Sequence, residues 1–394
     1  MLTSIALIFL IGISLGSIFK NIRMPSLIGM IITGIIIGPY ILNLIDDSIM
    51  NISIDLRQIA LIIILLRAGF SLNIKDLIQI SRPALLMCFV PACFEILGVV
   101  LIAPKILEIS VLEAAIIGSV IAAVSPAVVV PKMINLIDKG YGTDKKIPQL
   151  IMAGASVDDV FVIVLFTSFT ALSLGSNASI YQFIKIPVSI ILGVIIGGFI
   201  GFLLSIIFKK VHIKDSIKVI IILCVSFLLV DLEKLLENYV PFSGLLAVMS
   251  IGLFILKFYP DLANRISPKF SKLWIAAEVI LFVLVGASVD IKYTLSAGLQ
   301  IVFILITALI FRMAGIFVCL IKTNLNKKEK LFCMLAYIPK ATVQAAIGGL
   351  PLAMGLPCGE IVLSAAIISI LLTAPLGALL LDLLHTKLLN KTNR

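Results

Sequence analysis

Charge is scarce in this chain: Asp, Glu, Lys and Arg make up 13% of its 394 residues, whereas 61% are hydrophobic and the mean hydropathy is +1.22. Soluble domains carry about twice that share of charge, so soluble fold classes are excluded. No polar stretch is long enough for a separate soluble domain, and one transmembrane domain is expected to take in residues 1–394. Paired or zinc-type cysteine spacing is missing too. Cys88, Cys93, Cys224, Cys319, Cys333 and Cys358 all lie in or beside apolar runs and are expected to be small core residues. The amino-terminal stretch lacks a basic n-region and an A-x-A-like cleavage site, so Leu2 to Phe19 is expected to be a retained span.

What is present is a series of thirteen apolar runs, at about 2–19, 25–45, 52–71, 83–103, 111–134, 148–173, 182–208, 216–232, 241–257, 271–289, 293–321, 330–354 and 360–384. The expected fold is therefore an all-α polytopic membrane protein. Pro25, Pro83, Pro148 and Pro241 stand near the starts of runs, where a missing N–H costs little. Of 31 Lys and Arg, 23 fall in alternate connections and the tail, and five (Arg57, Lys105, Lys185, Lys234, Lys292) fall in the others. The positive-inside rule then places the amino terminus outside and the carboxyl terminus in the cytoplasm of a cell (plasma) membrane. This distribution makes lipid the expected partner of the +10 net charge and excludes nucleic acid.

The sixth run carries Gly154-Ala155-Ser156-Val157-Asp158-Asp159-Val160, two adjacent carboxylates about ten residues inside an apolar segment. A charge near the bilayer centre costs about 2.5–3.5 kcal/mol or more. Side by side, two carboxylates cannot both stay ionised without a cation, so the pair takes up either protons or a metal cation, in competition. The plainer alternative is a polar pair buried at a helix interface against a basic partner.

Two runs look interrupted: the fifth at Ala123-Val124-Ser125-Pro126-Ala127, ending near Pro131, and the twelfth at Tyr337-Ile338-Pro339-Lys340-Ala341-Thr342. Proline inside a helix removes a hydrogen bond and clashes with the preceding turn. Unwound backbone at membrane depth survives only where it is buried in protein or lines a cavity. One broken span in each half, offset by seven spans and hence antiparallel, points to inverted repeats with a binding site where the breaks cross. Glu95, Glu278, Arg312 and Lys340 lie at similar depth to the aspartates, within roughly 8 Å at about 1.5 Å per residue. Structural pairing is the favoured reading for Arg67, Glu278, Glu95 and Arg312, whereas Lys340, inside a break, either compensates a half-helix dipole or releases a proton. In the seventh run Gly193, Gly197 and Gly201 form a small-residue stripe that suits either lipid-facing packing or an intersubunit seam.

At these residues the chain resembles the monovalent cation/proton antiporter superfamily over nearly its full length. The matching stretches are Pro25-Ser26-Leu27-Ile28-Gly29 through Gly38-Pro39, Leu66-Arg67-Ala68-Gly69-Phe70, Ser125-Pro126-Ala127-Val128-Val129-Val130-Pro131, Val157-Asp158-Asp159 and Leu284-Val285-Gly286-Ala287. The most specific, Pro339-Lys340-Ala341-Thr342-Val343-Gln344-Ala345-Ala346, is similar to the NHA-type sodium/proton antiporter branch. The resemblance implies a 13-span fold with a dimerisation domain and a core domain of crossed broken helices, working as an elevator in a homodimer. It implies Asp159 as the principal ion and proton carrier with Asp158 beside it. It also implies Arg312 paired with Glu95, where other two-aspartate members carry a lysine in place of Arg312. No nucleotide-binding or regulatory tail is expected, which weakens the match to potassium-efflux members.

The expected function is exchange of Na⁺ or Li⁺ for H⁺, without catalytic residues and without a cofactor, the ions being cargo. A hard monovalent cation needs oxygen ligands, which Asp158, Asp159, Ser125 and carbonyls freed beside Pro126 can supply. A sodium-coupled organic-anion symporter or a K⁺/H⁺ antiporter would share the broken-helix architecture. An intramembrane aspartyl protease needs aspartates facing each other from different helices, and neighbours on one helix point about 100° apart. A passive channel is separated from an exchanger by counterflow in sealed vesicles.

Overall fold

The computed structural model describes residues 1–22, 24–71, 82–174, 180–236, 240 and 242–391. Pro241, named above, lies outside them, as do Arg23, Lys75 and Arg394 among the counted basic residues. Helices follow the apolar runs in order. The first three runs form α1 (Leu2–Asn21), α2 (Ser26–Ile37) and, after the short α3 (Asp47–Asn51), α4 (Ser53–Ser71). The fourth is divided into α5 (Arg82–Met87) and α6 (Val90–Leu107), the fifth into α7 (Val111–Ala122) and α8 (Pro126–Asp138). Then come α9 (Ile147–Leu174), α10 (Ile180–Lys210), α11 (Asp215–Leu236), α12 (Gly244–Phe258), α13 (Pro260–Ala287) and α14 (Ile291–Cys319). The twelfth run yields α15 (Lys327–Ala336), α16 (Thr342–Ile347) and α17 (Leu350–Ala353), and α18 (Gly359–Leu388) forms the last. Among the described residues, eight of these stretches are long and apolar enough to cross a membrane, and Ser26–Ile37, Gly244–Phe258 and Thr342–Ala353 are shorter apolar helices. The third and eighth apolar runs are covered by the 19-residue α4 and the 22-residue α11.

Several boundaries differ from those read along the chain, each for a local reason. The second run stops being helical at Ile37 because Gly38, which precedes Pro39, takes an extended conformation. The tenth begins at Pro260, not near 271: proline is tolerated in a first turn, and the polar stretch from Asp261 marks the exit from lipid without ending the helix. Pro131 lies inside α8, which continues to Asp138. The fourth run carries an unforeseen break at Cys88–Phe89, where Pro91 sits in the first turn of a new helix. All six cysteines are free; Cys93 and Cys224 face outward, contrary to their reading as core residues.

Contacts divide the chain into two compact units. One comprises Met1–Ile54, Ile80–Leu174 and Leu281–Arg394; the other comprises Asp55–Gln79 and Gly175–Ile280. In the second unit the glycine stripe packs α10 on α12. A Cβ on Gly193 or Gly201 would lie 2.7 or 2.8 Å from the carbonyl oxygens of Ser243 and Ile251, and one on Gly197 would collide with that of Ala247. The stripe is therefore an internal helix–helix contact. Glu278 and Arg67 both belong to this unit, where the arginine's charge acts on the carboxylate.

The first unit is centred on the two broken helices. Within its most apolar window 78% of Val111–Asp138 is buried, against 22% for Leu2–Asn21, so the former forms the centre and the latter an apolar periphery. Each broken helix starts from a capping box: Ser110 with Glu113 for α7, and Asn326 with Glu329 for α15. Glu329 also accepts from Lys145 Nζ at 2.8 Å, tying the start of α15 to the loop before α9. The same loop is held by the chain's carboxyl end, since Gly142 N–H donates to the Asn390 carbonyl at 2.9 Å and Leu389 is buried in the core cluster containing Ile147 and Ile151. These contacts fix the height at which α9 enters the bundle.

Candidate functional site

Both breaks are backbone breaks in the structure. Between α7 and α8 the chain extends through Ala123–Ser125, and Pro126 opens α8 at a position that needs no N–H donor. Between α15 and α16 the helix stops at Ala336, and Tyr337 to Ala341 are non-helical. The two breaks meet: Ser125 N–H donates to the Pro339 carbonyl at 2.8 Å. Thr373 Oγ1 of α18 accepts the N–H of Lys340 at 3.0 Å, so the unwound backbone is hydrogen-bonded at membrane depth.

Four buried charged residues of this unit meet at the crossing. Arg312, from α14, donates from Nη2 to Asp158 Oδ2 at 2.8 Å and from Nη1 to Glu95 Oε2 at 2.7 Å. Its Nη1 also bonds the Ala122 carbonyl, at the negative carboxyl end of α7. Lys340 Nζ lies 2.7 Å from Glu95 Oε1 and 2.9 Å from Oε2. Arg312, Glu95 and Lys340 are 1%, 0% and 0% exposed, so each charge depends wholly on protein partners. Lys340 thus serves Glu95, while the helix end is served by Arg312.

The two aspartates differ. Asp158 Oδ2 accepts from both Arg312 and the N–H of Val124 in the break, the latter at 2.9 Å. Asp159, half-buried, has no ion-pair partner among the described residues, and its Oδ1 is buried without a hydrogen bond. Asp158 Oδ1, Ser125 Oγ, Thr342 Oγ1 and Gln344 Oε1 are likewise buried without partners. Buried polar atoms are nearly always satisfied, so these unpartnered oxygens stand out as free acceptors. With all three carboxylates (Glu95, Asp158, Asp159) ionised, they outnumber the two cationic groups (Arg312, Lys340) by one negative charge.

The structure brings Glu95, Asp158, Arg312 and Lys340 into one bonded network, with Ser125, Pro126 and Pro339 forming the crossing beside it. Glu278, placed at the same depth, belongs to the other unit. Two participants carried no chemical signal of their own in the sequence. Gln344 donates to α7 carbonyls, and the Tyr337 ring stacks 5.3 Å from the Arg312 guanidinium carbon. Gln344 stood inside the matched Pro339–Ala346 motif without a role.

The family model described as "Sodium/hydrogen exchanger, transmembrane" matches residues 5–385. Sodium/hydrogen exchanger 9B2 of Homo sapiens is 32% identical over 387 residues, covering 93% of this chain and 70% of its own. Sodium/hydrogen exchanger 9B2 of Mus musculus is 30% identical over 410 residues, covering 99% and 74%. Among solved structures, the sodium proton antiporter MjNhaP1 from Methanocaldococcus jannaschii at pH 8 superposes with a TM-score of 0.84 at 21% identity, over 98% of this chain and 97% of that one. The fold is thus the antiporter fold, and the chain belongs to the sodium/hydrogen exchanger family, on the NHA-type branch of the monovalent cation/proton antiporters.

Proposed function

We propose that this protein exchanges Na⁺ (or Li⁺) for H⁺ across a cell membrane, with Asp159 as the carrier carboxylate and Asp158 as its anchored neighbour. One observation carries the reading: Asp158 is held by Arg312 and Val124, while the adjacent Asp159 has no ion-pair partner among the described residues, in a cluster whose ionised carboxylates outnumber its cations by one. One proton or one monovalent cation neutralises that excess, and the two compete for the same carboxylate. The unpartnered oxygens of Asp158, Asp159 and Ser125 suit a hard monovalent ion.

A neutralised site can be carried across a low-dielectric barrier, whereas the charged, empty one cannot without a large desolvation cost. That asymmetry makes exchange obligatory; elevator-type alternating access in a homodimer, with the amino terminus outside, is the form of exchange proposed. The charge count favours one proton per cation. The test is a proteoliposome assay in which an imposed Na⁺, Li⁺ or K⁺ gradient drives a change of internal pH at several clamped voltages. Cation-driven proton movement that is insensitive to voltage supports one-for-one exchange. No proton movement with any cation, or cation flux without proton counterflow, refutes the reading.

A further inference from the structure

The last carbonyls of a helix have no intrahelical donor, and α7 ends at full burial where water cannot serve them. Two side chains take that role. Arg312 bonds the Ala122 carbonyl, and the Gln344 amide nitrogen lies 2.9 Å from the Ala123 oxygen, 3.2 Å from that of Val120 and 3.5 Å from that of Ile121. Gln344 is wholly buried in α16, in the second broken helix. The residue after Ala123 is Val124, whose N–H holds Asp158, and the next is Ser125, whose N–H holds Pro339. The amide thus grips the turn immediately before both contacts. Its own oxygen, Oε1, is buried and without a partner.

We propose that Gln344 is a positioning residue for cation exchange: its amide locks the carboxyl end of α7 to the second broken helix and so sets the turn that presents Val124 to Asp158. This rests on the Na⁺/H⁺ exchange proposed above. Arg312 alone cannot substitute, because it is committed to Glu95 and Asp158 as well as to Ala122. A neutral amide meets the carbonyls without adding to the charge balance of the cluster.

The test compares wild type with Gln344→Met and Gln344→Asn in proteoliposomes, reading KM for Na⁺, maximal rate and melting temperature. Gln344→Met keeps length and shape but loses both donors. Its KM should rise about three- to tenfold, the range of one net hydrogen bond, with the maximal rate within about twofold. Gln344→Asn keeps the amide on a shorter arm and should fall between. A wild-type KM in whichever variant folds, or a loss confined to melting temperature, overturns the proposal. Wild-type liposomes without exchange would instead refute the underlying function.

Discussion

Ser125 N–H and the Pro339 carbonyl form a 2.8 Å hydrogen bond that joins two breaks more than two hundred residues apart in the chain. Each break frees backbone groups that need partners at membrane depth, and each supplies what the other needs. Beside that bond Glu95, Asp158, Arg312 and Lys340 form one bonded network, so perturbing any of the four reports on the crossing.

Asp159→Asn should abolish cation-driven proton flux while the protein still inserts and melts near the wild-type temperature, because Asp159 has no ion-pair partner among the described residues. Asp158→Asn should instead lower both stability and transport, since Asp158 holds Arg312 and Val124. Flux assays paired with detergent-melting curves check this. Wild-type flux in Asp159→Asn would end its assignment as carrier.

Arg312 bridges Asp158 and Glu95, whereas Lys340 contacts Glu95. Removing one member of a buried ion pair costs about 3–5 kcal/mol. Arg312→Gln should therefore destabilise more than Lys340→Gln, and adding Asp158→Asn to Arg312→Gln should recover part of the loss. A double-mutant cycle by thermal unfolding measures this coupling, and simple additivity would show that the contact contributes nothing.

Gly154 lies one helical turn before Asp158, and a Cβ there would collide with the Tyr337 hydroxyl oxygen. Gly154→Ala should destabilise by about 1–3 kcal/mol through overpacking. Tyr337→Phe removes the clashing atom and should restore much of the loss in the double variant. If melting shows Gly154→Ala to be equally destabilising with and without the Tyr337→Phe substitution, this packing is contradicted.

Outside the membrane spans, Asp46 caps α3: its carboxylate accepts from the Ser48 hydroxyl at 2.5 Å and the Ser48 N–H at 2.9 Å. The Ser48 hydroxyl and then its N–H hold the Asp46 carboxyl at about 2, below its ordinary 3.8. A depressed carboxyl contributes stability that is present above the unfolded value and is lost as pH falls toward about 2. The melting difference between wild type and Asp46→Asn should accordingly persist at neutral pH and shrink between those two values. A difference that stays constant through that window would count against the cap.

The spans, their order, the paired carboxylates and both membrane-depth breaks were legible along the chain. Asp in an apolar run, or Pro within one, is a local violation that needs no neighbour to interpret. Membership of a unit was not legible: Glu278, expected near the depth of Asp158, belongs to the other unit, where Arg67 acts on it. The glycine stripe likewise showed that a helix would approach closely, but only packing showed that helix to be α12.

By itself, then, the sequence determined an all-helical membrane antiporter fold and the stretch where its polar chemistry concentrates. Tertiary structure decided that Arg312 reaches Asp158 as well as Glu95, that Lys340 belongs to Glu95, and that Gln344 serves the end of α7. The reason is physical. Local rules govern which backbone groups a helix break releases, but the donors that satisfy them come from helices folded against it across long stretches of chain.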